Sequence, residues 1–94
     1  MTPEIELITK EDIAKYHFVH HDVLGTDEER RLRYADLSKA MILGNAHHGK
    51  IKVVFETEEG RKVVETTVWA TDENEVLLKG GVTIPTKSIR EVLI

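Results

Sequence analysis

The second half of the chain has the pattern of a series of short β-strands separated by turns. Glycine, glutamate, aspartate and asparagine stand between apolar or alternating segments, as they do in hairpins. The longest segment has apolar side chains on both faces, which is typical of a bent strand shared by two sides of a barrel. The pattern therefore predicts a small, strongly bent antiparallel sheet, and a barrel is the closest match. The segments are Lys50–Thr57, Arg61–Ala70, Glu75–Lys79, Val82–Pro85 and Ser88–Ile94.

The composition indicates a single domain, because 94 residues with 40% hydrophobic and 32% charged side chains can form one small core. We expect residues 1–49 to supply an N-terminal strand and helix, and residues 50–94 to supply the barrel strands. The absence of cysteine excludes disulfides and thiolate metal sites. Because the N-terminus is acidic and no apolar stretch has the length of a membrane span, we expect a cytoplasmic protein with no membrane partner. The net charge of −4 argues against a partner bound mainly through phosphates.

The first 24 residues contain one strand pattern and one ambiguous stretch. Glu4–Ile8 alternates as a short strand, with Ile5 and Leu7 on one side. The pattern of Lys10–Lys15 predicts a helical turn. The pattern of Tyr16–Leu24 fits a helix and a strand equally well, and it leaves both open.

A longer helix follows, and its start is clearly marked. Thr26 and Glu29 have the spacing of a capping box, in which the threonine hydroxyl accepts from the backbone amide three residues on. Gly44 is placed to end the helix in the left-handed conformation. The predicted apolar stripe of this helix consists of Tyr34, Leu37 and Met41, with Ala40 beside it.

Three stretches of the strand series carry a family resemblance. IKVVF at 51–55 and EEGRKVVETTVWA at 58–70 give a strand, a turn with glycine and a long strand, and Asp72-Glu73-Asn74 then leads into an apolar run. VLLKGG at 76–81 places a basic residue and glycine after an apolar strand. These motifs resemble the Sm-like family of small barrels over roughly Leu32–Ile94, and the closing VTIPTKSIREVLI resembles other Sm-like regulators. The whole chain also resembles a family of short, uncharacterised bacterial proteins, a likeness that implies no function.

The Sm-like resemblance implies binding of RNA or single-stranded nucleic acid at the loops of the barrel. It also implies that a homo-oligomer is possible, because members of the family often form rings. Lysines on one face of the first barrel strand can add positive charge if the strands bring them near Arg61 and Lys62. The predicted nucleic-acid contacts are Asp72, Asn74, Lys79, Gly80, Lys50 and Lys52.

Histidine is the residue type that most suggests a metal site, since five of the 94 residues are histidine. On a helix, His17 and His21 are four residues apart and can share a metal, with Asp22 or a distant group completing the ligand set. The alternative is that these histidines pack partly or point to solvent. We favour this alternative and expect no cofactor, because the sequence contains no cysteine and no metalloprotease motif.

Trp69 is the single tryptophan, and alternation places it on the opposite face from Val68 and Ala70. Either an N-terminal element covers its ring, or the ring is an exposed anchor for a partner. We expect it to be covered, because the N-terminal half must pack somewhere.

Taken together, the residues predict an α+β domain in which an N-terminal strand and helix pack on a small, strongly bent, Sm-like antiparallel β-barrel. No nucleophile stands beside a base on a sharp turn, and the paired carboxylates lie in predicted hairpin turns, so we expect no enzyme. The leading hypothesis is a non-enzymatic protein-interaction or regulatory module. The alternatives are nucleic-acid binding through the barrel loops and metal binding through histidine.

Overall fold

The computed structural model of this chain describes residues 4–94. Within these residues one long helix and seven strands form an α+β fold, which confirms the predicted fold class. The predicted N-terminal strand and helical turn are also confirmed. In chain order the elements are β1 Ile5–Ile8, a 3₁₀-helix Lys10–Lys15, α1 Asp27–His47, β2 Ile51–Thr57, β3 Gly60–Thr66, β4 Val68–Thr71, β5 Glu75–Leu78, β6 Thr83–Pro85, a 3₁₀-turn Thr86–Ser88 and β7 Ile89–Leu93.

The strands form two sheets. The first has the order β1-β3-β2-β7, in which β1 runs parallel to β3 and the other pairs are antiparallel. The second has the order β4-β5-β6 and is antiparallel throughout. The predicted single strand Arg61–Ala70 is divided at Thr67, so that its two parts belong to different sheets. Among residues 4–94 the sheets do not close into one barrel, and the Sm-like barrel stays a prediction.

The core lies between the inner faces of the two sheets and one face of α1. Val53, Phe55 and Val64 of the first sheet are fully buried, as are Val76 and Leu78 of the second. Burial of each such side chain stabilises the folded state by about 1.5–3 kcal/mol. The core therefore depends on contacts between elements that are distant in sequence.

The helix begins as the sequence predicts and ends later than expected. The Thr26 hydroxyl accepts from the backbone N–H of Glu29 at 3.1 Å. The helix continues through Gly44 to His47, and His48 takes the left-handed conformation with φ 54°. Gly44 instead lies where α1 packs closest to β4, because a Cβ there would overlap the carbonyl oxygen of Val68. The glycine is thus explained by helix–sheet packing and not by termination.

The buried stripe of α1 also differs from the predicted one. It consists of Arg33, Leu37, Ala40 and Gly44, which follow the helical period. The side chain of Tyr34 was expected in the stripe, yet it is 61% exposed. The helical period alone does not show whether Arg33 or Tyr34 lies in the buried stripe, because burial of Arg33 depends on an acidic partner outside the helix. No helix in residues 4–94 combines the length and the apolar character that a membrane crossing requires.

The ambiguous stretch Tyr16–Leu24 is neither a helix nor a regular strand. Phe18 makes an isolated bridge to Thr57, and the backbone N–H of Glu58 donates to the carbonyl oxygen of His17 at 2.8 Å. Near its other end, the N–H of Val23 donates to the carbonyl oxygen of Lys87 at 2.9 Å. The segment is therefore held by contacts with the sheets and not by a pattern of its own.

Replacement of Gly44 by alanine tests the close approach of α1 to β4. Alanine normally favours a helix over glycine by about 1 kcal/mol. Here we expect Gly44→Ala to lower the free energy of unfolding by about 2 kcal/mol, because the added methyl group overpacks the contact with Val68. Urea denaturation measures the change. Gly25→Ala is the matched control, since a Cβ at Gly25 meets no atom within 4 Å. Equal stability of Gly44→Ala and the wild type would contradict the packing.

Candidate functional site

An apolar row crosses the exposed side of the four-stranded sheet. We call this side, which carries Ile5, Leu7, Val54, Val63 and Leu93, the outer face. Leu7 pairs with Val63, and Val63 pairs with Val54, so the three side chains lie beside one another on adjacent strands. They alternate with residues such as Val53 and Val64 that point into the core. Leu7 is 68% exposed, whereas Val54 is only 4% exposed.

Charged side chains border the apolar row. Glu56 accepts from Arg61 at 3.4 Å and from Arg90 at 3.2 Å, so the charges on one flank are paired with each other. On the other flank, Lys52 stands opposite Glu65 across the strand pair, and the two charged groups form no ion pair within 4 Å. The outer face thus combines an apolar centre with a polar rim, which is the composition of many protein interfaces.

The two edges of this sheet differ. The edge at β7 is covered by α1, whose Arg33 donates to the carbonyl oxygen of Ile89 at 3.0 Å. Beside it, the Arg90 guanidinium reaches the carbonyl oxygen of Val23 at 3.5 Å. At the opposite edge, β1 pairs with β3 on one side, and no strand among residues 4–94 pairs with its other side. We call this second edge the β1 edge. Its backbone groups are free to pair with another chain.

Asp22, a predicted metal ligand, instead binds Arg33. The Asp22 Oδ2 and Oδ1 atoms accept from the Arg33 guanidinium at 2.7 Å and 2.9 Å. The hydrogen bond from Arg33 lowers the pKa of Asp22 below its usual value, so the carboxylate stays charged. His21 lies next to Asp22 in an irregular segment and is exposed. The helical spacing that would unite His17 and His21 is therefore absent.

His17 meets two glutamates of the β2–β3 turn. The His17 Nδ1 atom lies 2.7 Å from Glu59 Oε1, and the backbone N–H of His17 donates to the same carboxylate oxygen at 3.1 Å. Possible ligand atoms of His17, Glu58 and Glu59 all lie within 4.8 Å of one another. These three residues can hold a divalent cation, although all three are exposed. The sequence pattern points to His17 but not to the two glutamates, which the bridge between Phe18 and Thr57 brings beside it.

The ion pair shifts the pKa values of both its partners. The hydrogen bond to Glu59 raises the pKa of His17 above 6.5, and the same bond lowers the pKa of Glu59 below 4.5. Between these values both groups are charged and attract each other. A metal must displace this contact and the proton on His17 before it can bind.

The predicted nucleic-acid contacts are not brought together. Asp72 Oδ1 accepts from the backbone N–H groups of Asn74 and Glu75 at 2.7 Å and 2.8 Å, which fixes the β4–β5 turn. Lys79 and Gly80 lie in the turn at the other end of β5, four strand residues away, or about 13 Å. Lys50 directly precedes β2 and Lys52 lies in it, in the other sheet.

Trp69 is 40% exposed, so the expectation that an N-terminal element covers it is wrong. It lies at an irregularity in the pairing of β4 with β5, between Val68 and Ala70. The helix contacts its backbone, where Asn45 Nδ2 donates to the Trp69 carbonyl oxygen at 3.3 Å. The ring is therefore available for contact.

Comparison of the chain with protein-family models, with curated proteins and with solved structures finds no match. The geometry of each candidate site is therefore the basis for what it can bind. The outer face with the β1 edge offers both apolar surface and free backbone groups. The His17 cluster offers an exposed ion pair.

The pH dependence of stability tests the His17–Glu59 pair. Because the pKa of His17 is raised on folding, its contribution is fully present below about pH 6.5 and is lost as the pH rises through the higher pKa of the folded state. We expect His17→Gln to destabilise the protein near pH 6 and to have little effect near pH 9. Denaturation of both proteins at the two pH values measures this. The control is His20→Gln, because His20 is a neighbouring exposed histidine. A loss from His17→Gln that is the same at both pH values would contradict the ion pair.

Zinc titration tests whether the same cluster holds a metal. Because the three residues are exposed and two of them are already paired, we expect equimolar zinc at neutral pH to change the melting temperature by less than about 2 °C. Differential scanning fluorimetry measures the shift. A rise of many degrees that His17→Ala abolishes would overturn this expectation.

Proposed function

We propose that this protein is a non-enzymatic protein-interaction module that binds its partner through the outer face and the β1 edge. One observation carries the proposal: Leu7, on an edge strand, is 68% exposed and heads an apolar row that continues through Val63 to Val54. A large apolar side chain beside an unpaired strand edge offers a partner both apolar area and backbone hydrogen-bonding groups at one place.

The combination of features favours a polypeptide partner. An extended segment that adds to a sheet edge gains main-chain hydrogen bonds, and its alternate side chains pack on the faces of the sheet. The β1 edge supplies the backbone groups, and Ile5 and Leu7 supply the adjacent apolar surface. Both elements of this recognition mode are thus found at one place.

Nucleic-acid binding receives less support. The residues that the Sm-like resemblance implies lie at opposite ends of β5 and in a different sheet. The net charge of −4 also gives no long-range attraction for phosphates.

Affinity capture from cells of the source organism tests the proposal, with the tagged full-length chain as bait. We expect a partner that the wild type retains and that Leu7→Glu loses, because a charge at the centre of an apolar contact costs several kcal/mol. Ile42→Glu is the matched control. Ile42 is 64% exposed on α1, far along the chain from β1, so we expect this variant to retain the partner.

Trp69→Ser separates the outer face from the second exposed anchor. If capture depends on Trp69 and not on Leu7, the partner binds the three-stranded sheet and the proposal is wrong. Circular dichroism of all three variants shows whether a loss of capture reflects a loss of folding.

A further inference from the structure

We infer that the segment bound at the β1 edge is an extended stretch of another protein in which apolar and basic residues alternate. This inference rests on the proposed function and specifies the chemistry of the partner. It follows from the distribution of charge around β1.

Acidic and apolar residues alternate along β1. Ile5 and Leu7 point to the outer face, whereas Glu4 and Glu6 line a depression of about 340 Å³ on the other side of the strand. Glu6 accepts from Lys62 at 2.7 Å, and its side chain is still 59% exposed. Glu4 has no ion-pair partner among residues 4–94. The edge therefore presents apolar groups on one face and carboxylates on the other.

Carboxylates also outnumber cations at both ends of β1. The depression with Glu4 and Glu6 contains a third carboxylate, from Glu59, which pairs with His17, and two cations, both of which bind glutamates. At the other end, a second depression contains the carboxylates of Glu11, Asp12 and Glu65 and a single cation. That cation, Lys10, binds Glu11 at 3.1 Å, and Lys15 from outside the depression binds Asp12 at 2.9 Å. Glu4 and Glu65 have no ion-pair partner among residues 4–94, so unpaired negative charge remains at both ends of the strand.

A strand that pairs with β1 places its side chains alternately over these two faces. Apolar side chains at every second position pack on Ile5 and Leu7. Basic side chains at the intervening positions lie opposite Glu4 and Glu6, where each carboxylate has acceptor sites left for further hydrogen bonds. A strand of alternating apolar and basic residues is therefore complementary on both faces.

A second copy of this chain is a poorer occupant of the same edge. Pairing of β1 with β1 of another copy about Glu6 brings two Glu6 side chains together and places the carboxylates of the two chains on the same face. Like charges directly opposite each other destabilise a strand pair. The acidic residues that discourage self-pairing are the same residues that favour a basic partner.

Three seven-residue peptides with blocked termini test the inference: alternating lysine and valine, alternating threonine and valine, and alternating glutamate and valine. Each is titrated into the full-length protein labelled with ¹⁵N, and amide chemical shifts are recorded. We expect the lysine peptide to bind saturably, with its largest shifts at Ile5–Ile8 and in β3. We expect binding to weaken at high salt, and we expect the glutamate peptide not to bind.

Charge-reversed variants make the test specific for the β1 edge. We expect Glu4→Lys to weaken binding of the lysine peptide about threefold, the size of an opposite-charge cross-strand pair. Glu73→Lys is the matched control, because it changes the net charge equally in the exposed β4–β5 turn. We expect it to leave the affinity unchanged.

The outcomes separate failure of this inference from failure of the proposed function. Equal binding of the threonine and lysine peptides at β1 would overturn the basic preference and leave the edge as a binding site. Equal weakening by Glu4→Lys and Glu73→Lys would also overturn it, because the attraction would then be unspecific. A dimer in light scattering that Leu7→Glu dissociates would show that a second copy occupies the edge. Absence of any shift at β1 with all three peptides would contradict both proposals.

Discussion

The buried guanidinium of Arg33 is the interaction on which the arrangement of this fold depends. It is 8% exposed in the apolar stripe of α1, where an unpaired charge would cost several kcal/mol. It binds the Asp22 carboxylate through two nitrogens and the carbonyl oxygen of Ile89 through one of them. One side chain therefore joins the helix, the irregular segment before it and the last strand. Loss of the guanidinium would leave Asp22 and the Ile89 carbonyl without this donor.

The position of α1 gives the four-stranded sheet its asymmetry. Arg33 holds one end of the helix at β7, and Gly44 allows the other end to approach β4 closely. The helix thus covers the β7 edge and leaves the β1 edge uncovered, together with Ile5 and Leu7 of the outer face. The open edge carries Leu7 beside carboxylates, a surface suited to an extended polypeptide of opposite charge. The proposed function is in this sense a consequence of which edge the helix covers.

The sequence predicts the elements of this fold better than their contacts. The strand series and the Thr26 cap are local patterns, and their bounds agree with the structure to within a few residues. The local pattern places Gly44 at a helix end and misses its packing role, because the contact is with Val68, 24 positions away. The alternation of its strand leaves open whether Trp69 is covered, and in the structure the residue is 40% exposed beside α1. Alternation places Leu7 on one side of its strand, but it does not show which side faces the core.

Solvent accessibility of methyl groups in the free protein is the most direct test of an open β1 edge. A soluble nitroxide broadens the NMR signals of methyl groups that it can approach. An open edge predicts that the methyl signals of Leu7 and Ile5 broaden as strongly as those of Ile42 on the exposed side of α1, and that those of Val53 and Leu37 in the core do not. Protection of Leu7 to the level of the core methyls would show that its surface is already covered, and it would contradict the proposed binding site.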